Sequence, residues 1–511
     1  MRKELSRLIE LDREAGLLVH IDALLGWDQE TYMPPGAVEE RSEQIALVQA
    51  LAHERAVSSE IGDLLAALGS TAETPLGEPS LDGRERAYLR VLRRAYDRET
   101  KLPASLVSEL ARATSLSQAA WVEARRSDAF AAFAPWLERI VELKRNQAAC
   151  LSAGSPNSGA SAYDALLDLF EPGCTEAFLS SLFAGLRRDL VELLGRVRSR
   201  PQVDGSFLRR PCPVSRQAAI SEWLMDEMTY DRSRGRLDTT AHPFTTTLGS
   251  GDVRITTRYL EDDFTSSLFS TVHETGHALY EQGIAPGPSF ARTRLHDAAS
   301  MAIHESQSRL WENVVARSRA FWASRYGRLA ELAGSALEGI GLDAFARAVN
   351  RVEPSLIRTE ADEVTYCLHV ILRFELESRL IRGDLAVRDL PEAWSAGMKE
   401  LLGVAPSSDA EGCLQDVHWS AGLFGYFPSY ALGNLYAAQL WSAMRASIPD
   451  LEERIAAGEL GDLLVWLRKN VHEPGATYLP GELIERASGA KLAASHFTAY
   501  LSEKYSRVYG L

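Results

Sequence analysis

Cysteine is scarce. The chain of 511 residues has five, Cys150, Cys174, Cys212, Cys367 and Cys413, which are scattered, odd in number and form no CxxC pair. That pattern argues against a disulfide framework and a thiolate zinc site, and it fits a reducing cytoplasm. No stretch approaches the ~18 apolar residues of a membrane span. The opening MRKELSRLIELDREAGLLVHIDALL carries charge at helical intervals and lacks the apolar run and small-residue cleavage site of a signal peptide. Positive charge is in deficit: 55 Lys+Arg stand against 70 Asp+Glu, for a net charge of −15. With no long Lys/Arg run to override it, that field repels nucleic-acid phosphates and anionic lipid, so neither nucleic acid nor membrane is expected as a partner.

What is present is ordinary globular sequence, 46% hydrophobic and 24% charged. LVSELARATSLSQAAWVEARR, FLSSLFAGLRRDLVELLGRVRSR and YAAQLWSAMRASI repeat apolar residues at three- and four-residue steps, which predicts a mainly α fold. Loop signals fall at residues 69–83, 152–161, 198–214 and 403–412, none long enough for a disordered linker. Length alone suggests about three domains of roughly 150 residues. The absence of repeats and low-complexity tracts favours one large helical domain over 1–511, with an N-terminal helical portion to about residue 240 and a catalytic portion over about 241–511. The exception to helix is HPFTTTLGSGDVRITTRYLE (242–261), where two Thr-rich, β-branched runs flank Gly249–Asp252 as a hairpin does.

Directly after it comes FTSSLFSTVHETGHALYEQG, in which Leu268, Val272, Leu279 and Tyr280 suit a buried helical face and Thr265 is placed to cap the start. His273 and His277 share one face. Two imidazoles at i and i+4 can bind one Zn²⁺ at ~2.0–2.1 Å, with Glu274 beside the metal's water as general base. Alone, five such residues also describe a helix with two satisfied histidines and a solvated glutamate. A catalytic zinc needs a third protein ligand and one open position. SMAIHESQSRLWEN (300–313) offers His304, Glu305 and Glu312 on a helix. Adjacent residues project about 100° apart, so His304 and Glu305 cannot both face the metal, and spacing does not choose between them. Glu312 reads equally as a surface ion pair.

HETGHALYEQG followed by HESQSRLWEN resembles the carboxypeptidase Taq family of zinc metallocarboxypeptidases. The family's DxRxTTR, IRxxAD and GxxQDxHW blocks stand here as DVRITTR (252–258), IRTEAD (357–362) and GCLQDVHW (412–419). HPF (242–244), WDQETYMPPGAVEERSEQ (27–44) and GLFGYFPSYALGNLYAAQ (422–439) also match, so the resemblance spans nearly the whole chain. It implies a mostly helical fold with a deep central groove. It also implies His273, His277 and Glu305 as zinc ligands, with Glu274 as base. The implied activity is removal of single residues from peptide C-termini with broad side-chain tolerance, commonly by a homodimer. Co²⁺ and Mn²⁺ are possible substitutes for Zn²⁺, since selectivity follows availability as much as ligand type.

A carboxypeptidase must also hold a terminal carboxylate, which Arg does through paired charge-assisted hydrogen bonds. Arg254, Arg258 and Arg358 sit in matched blocks. Arg358 is preferred, against the alternative that it pairs structurally with Glu360 or Asp362, while Arg254 and Arg258 are candidates to close the groove's far end. Charge growing on the attacked carbonyl oxygen needs a donor. His418, Tyr426, Tyr430 and His242 are candidates, Tyr430 first. Trp419, Phe424 and Phe427 read as core, whereas Gly422, Gly425, Pro428 and Gly433 are expected to break regular helix there. His369, in an apolar helical stretch, reads as a core histidine, and His20, His53 and His296 receive no role. A carboxylate orienting the zinc histidines is required, with Asp362 the only guess.

Overall fold

The computed structural model describes residues 2–153 and 161–511, so most of the loop expected at 152–161 lies outside the described residues. The predicted mainly α class is the observed one. The three periodic segments lie in helices Ala104–Ser127, Glu176–Arg198 and Phe427–Ser447. The N-terminal stretch forms one long helix, Lys3–Thr31, paired with Val38–Ala56. No helix among the described residues is long and apolar enough to cross a membrane.

The largest core cluster draws on residues from Leu106 to Tyr509, on both sides of residue 240. A smaller one joins Leu5, Leu8, Leu65, Tyr88 and Leu92 to Phe290 and Leu295. Each such fully buried aliphatic side chain contributes about 1.5–3 kcal/mol relative to exposure. That apolar packing places the few polar groups described below.

The hairpin is present. Strand β2, Thr245–Gly249, pairs antiparallel with β3, Asp252–Thr257, with a register irregularity between Thr247 and Gly249. A third strand, β1, Leu237–Thr239, runs parallel to β3 on its other edge. Three residues are too few for an alternating pattern to be read from sequence.

The sheet packs on helix Phe264–Gly283, which carries the HETGH residues and is buried on nearly every side, Leu268, Val272, Leu279 and Tyr280 completely. Its cap is Asp263, not Thr265. The helix begins at Phe264, the Asp263 carboxylate accepts from Ser266 N at 3.2 Å, and Thr265 Oγ1 donates to that same oxygen. The segment after it is α-helical over Met301–Arg309 and π-helical over Leu310–Ala316, where Arg317 N bonds Glu312 O at 3.0 Å across the wider turn.

Two glycines let these helices touch. A Cβ on Gly276 would lie 2.8 Å from Ser308 Cα, and one on Gly433 would lie 2.5 Å from Glu305 Cγ. Helix Met301–Arg309 therefore passes between Phe264–Gly283 and Phe427–Ser447, meeting the first backbone to backbone at Gly276 and the second through the Glu305 side chain against Gly433. Pro428 and Gly433 do not break helix as expected: Pro428 occupies the first turn, where its missing N–H costs nothing, and Gly433 sits in regular helix because contact demands it. The irregular backbone lies just before, at Gly422 and Gly425, both with positive φ.

Candidate active site

Among the described residues, His273, His277 and Glu305 offer three metal-ligating atoms all within 4.8 Å of one another. His273 Nε2 lies 3.9 Å and His277 Nε2 3.6 Å from Glu305 Oε2. Ligands ~2.0–2.1 Å from a tetrahedral ion stand about 3.4 Å apart, and the two histidine–glutamate separations come close to that spacing. The donor set, two imidazole nitrogens and a carboxylate oxygen, suits a catalytic transition-metal site with an open position.

The remaining atoms of His273 and Glu305 are held from behind, while His277 Nδ1 is buried without a hydrogen-bond partner. Glu312 Oε2 is 2.9 Å from His273 Nδ1, which turns Nε2 toward the cluster. Arg309 Nε donates to Glu305 Oε1 at 2.7 Å, leaving Oε2 for the histidines. Arg309 also reaches Glu312 at 3.3 Å, and Arg317 Nη2 donates to Glu312 Oε1 at 3.2 Å. Burial opposes charge on Glu312, but the hydrogen bond to His273 and the two arginines outweigh it and hold its carboxyl well below the usual carboxylate range. Glu312 thus occupies the place behind His273 for which the sequence points to Asp362, and is no surface ion pair. Asp362 instead caps helix Glu363–Arg382, accepting from Val364 N and Thr365 N. Burial, with His304 and His273 nearby, pushes His277 well below its ordinary value, so it is neutral and has a lone pair to give.

The ambiguity between His304 and Glu305 is resolved by packing. His304 Nε2 pairs with Glu281 Oε1 at 3.0 Å, and its ring stacks on His277 with centroids 4.2 Å apart. It packs against the cluster and is not one of its three ligand-capable groups. Glu274 is buried beside the cluster, and its Oε2 accepts from Thr245 Oγ1, in β2, at 2.6 Å. Burial raises its carboxyl pKa, partly offset by His273 and by the Thr245 bond.

Arg358 is buried and paired, with neither Glu360 nor Asp362 but with Asp416, at 2.9 Å. Asp416 is shared with Arg373, at 2.6 Å. Arg358 Nη1 donates to Tyr366 Oη at 3.1 Å, and the guanidinium lies over the Tyr430 ring, 4.8 Å from its centroid. His418 Nε2 is 3.1 Å from Tyr430 Oη, and the Tyr426 and Tyr430 rings meet edge to face. Burial, then the nearby Arg358, pushes His418 down to about 3, while burial pushes Tyr426 up to about 12, so both are neutral at ordinary pH. Trp419, Phe424 and Phe427 are buried as core, and so is His369.

Three candidates are not drawn into this group. Arg254 is paired twice over with Asp252 on its own strand and lies over Trp27, 4.2 Å from the ring centroid. Arg258 is exposed and donates to Ala241 O at 3.3 Å, and His242 is exposed. Arg309, Glu281 and Thr245 were not singled out from sequence. Arg309 had a signal, standing four residues after Glu305 on the same helical face; Glu281 and Thr245 had none.

A histidine pair one helical turn apart, a glutamate beside the first and a carboxylate brought in by a second helix define the class, a metal-dependent peptide hydrolase. Residues 7–505 match the family described as Carboxypeptidase Taq (M32) metallopeptidase. The chain is 44% identical over 510 residues to thermostable carboxypeptidase 1 of Thermus thermophilus, covering 98% of each. It is 39% identical over 488 residues to carboxypeptidase 1 of Bacillus subtilis, covering 95% of each. The crystal structure of the M32 carboxypeptidase from Deinococcus radiodurans R1 superposes with a TM-score of 0.94 at 41% identity over the whole of both chains. The chain belongs to the carboxypeptidase Taq (M32) family of metallocarboxypeptidases.

Proposed function

We propose that the protein releases single amino acids from peptide C-termini, with broad side-chain tolerance, as a zinc enzyme whose ligands are His273, His277 and Glu305. The observation that carries this reading is the convergence of those three ligand atoms beside buried Glu274. Zinc, when bound, supplies the Lewis acidity that makes a water nucleophilic at neutral pH. Glu274, its oxygen steadied by Thr245, takes the attacking water's proton and returns it to the leaving amine. Tyr430, with its hydroxyl against His418, donates to the oxygen on which charge develops, and Tyr426 and His418 keep that hydroxyl aimed.

Arg358 receives the substrate's terminal carboxylate. Asp416 is one negative charge shared by two buried guanidiniums, which leaves a unit of positive charge for a substrate anion to neutralise. Arg254, Arg258 and His242 line the approach, and the peptide lies in a central groove of a single unit spanning 1–511, its catalytic portion beginning near residue 241. The protein works in the cytoplasm as a homodimer, and Co²⁺ or Mn²⁺ can replace Zn²⁺.

The test is digestion of a mixed-sequence peptide, free-acid and C-terminally amidated, with and without chelator and added zinc, followed by mass spectrometry. The expected result is a ladder from the free-acid end, weak with the amide and abolished by chelation. Internal cuts in both peptides would make it an oligopeptidase, and bound zinc with no cuts would leave only a peptide-binding protein.

A further inference from the structure

Arg317, which holds the far oxygen of Glu312, also lines a separate cavity of about 340 Å³. That volume is ample for a small organic molecule. Its floor is apolar and buried: Val314, Ala346, Trp441, Ile455 and Val508. Its remaining wall is cationic, with Arg317, Arg319, Arg347, Arg445, Lys504 and Arg507 against Asp343, Glu452 and Glu503. Counting Glu312 and Glu363, which pair with Arg317 and Lys504, these six cations meet five carboxylates, which leaves one positive charge over.

The carboxylates there are already neutralised. Arg319 pairs with Asp343 at 2.6 Å, and Arg445 reaches Glu452 at 3.2 Å and Glu503 at 3.0 Å. Lys504 is occupied by Glu363 at 2.7 Å and by Asn313 O at 3.0 Å. Arg347, exposed at the rim, has no carboxylate partner among the described residues. Arg317 spends two of the five N–H donors of a guanidinium, on Glu312 and on Val349 O. An apolar floor beside one unneutralised guanidinium, Arg347, and the spare N–H donors of Arg317 is the complement of an anion with a hydrocarbon body.

We propose that this cavity binds a small amphipathic carboxylate, its hydrocarbon part against Trp441, Val314 and Val508 and its carboxylate on Arg347 and Arg317. The site is built onto the π-helical turn that carries Glu312: Tyr500 Oη and Lys504 Nζ both donate to Asn313 O, at 3.1 and 3.0 Å. A carboxylate that bonds the spare donors of Arg317 competes with Glu312 for that charge and leaves Glu312 a stronger acceptor for the His273 N–H, and the metal is released more slowly. That second step rests on His273 being a zinc ligand, whereas binding itself does not.

The probe is 3-phenylpropionate, titrated calorimetrically into the zinc-loaded enzyme, into Arg347→Glu and into His273→Ala. One probe binds per chain, Arg347→Glu weakens it about five- to ten-fold with kcat/KM for peptide unchanged, and His273→Ala leaves it intact. Bound probe also slows zinc loss to excess chelator, and this slowing is lost in Arg347→Glu. No binding, equal binding in Arg347→Glu, or displacement by peptide substrate would each overturn the site. Unaltered zinc release with binding intact would overturn the link through Arg317.

Discussion

Glu312 Oε2 lies 2.9 Å from His273 Nδ1, and the same carboxylate is gripped by Arg309 and Arg317. Its charge is thereby fixed in place and aimed at one imidazole edge. Glu312→Gln keeps the shape but loses the charge. It is expected to lower metal affinity about 10–100-fold, the usual cost of losing a carboxylate behind a metal histidine. Competition with a chromophoric chelator measures this, and unchanged affinity would remove Glu312 from the role.

Glu274→Gln separates chemistry from metal binding. Turnover should fall by a factor of about 10²–10⁴ or more, while zinc content by atomic absorption stays at wild type. His273→Ala should lose both. Substantial residual turnover in Glu274→Gln would end its assignment as the base.

Gly433→Ala tests the close helix crossing. In an open helix the change favours folding by about 1 kcal/mol. Here the new methyl lands 2.5 Å from Glu305 Cγ, and overpacking of that kind costs about 1–3 kcal/mol. The expected outcome is a lower melting temperature together with weaker metal binding. A variant more stable than wild type, with metal affinity intact, would show that Glu305 has room to move.

Asp416 makes a prediction in pH. Burial opposes its charge, but Arg373 and Arg358 outweigh it and hold its carboxyl well below its ordinary value of 3.8. A carboxylate depressed in the folded state stabilises the fold above its unfolded pKa, and that stability is lost as pH falls through and below about 4. Asp416→Asn, which leaves two buried guanidiniums unpaired, should cost about 3–5 kcal/mol at neutral pH. The gap between wild type and variant should narrow as the medium is acidified below pH 4. Denaturant unfolding across that range reads both, and a gap independent of pH would contradict the pairing.

The helical class, the hairpin and the HETGH helix were legible because each is a local pattern: a period of three to four, a turn between β-branched runs, two histidines at one helical step. What was not legible depends on contact. Spacing left His304, Glu305 and Glu312 open, and only the crossing of two helices puts His304 on Glu281 and Glu312 behind His273. The partner of Arg358 is 58 positions away, beyond any local pattern. Thr265 lost the cap to Asp263 because two residues of offset decide which oxygen meets the exposed N–H groups. Pro428 and Gly433 carried breaker signals that an N-terminal first turn and a tight crossing absorbed.

The two glycine crossings have a consequence for how this centre can vary. Helix Met301–Arg309 is gauged by two missing β-carbons, one facing backbone and one facing the Glu305 side chain itself. The spacing of the helix carrying Glu305 from the helix carrying the histidines is therefore set at Gly276 by main-chain thickness, while Gly433 leaves room for the Glu305 side chain itself. Side chains elsewhere around the cluster can vary while the helix-to-helix distance at Gly276 stays a property of bare backbone.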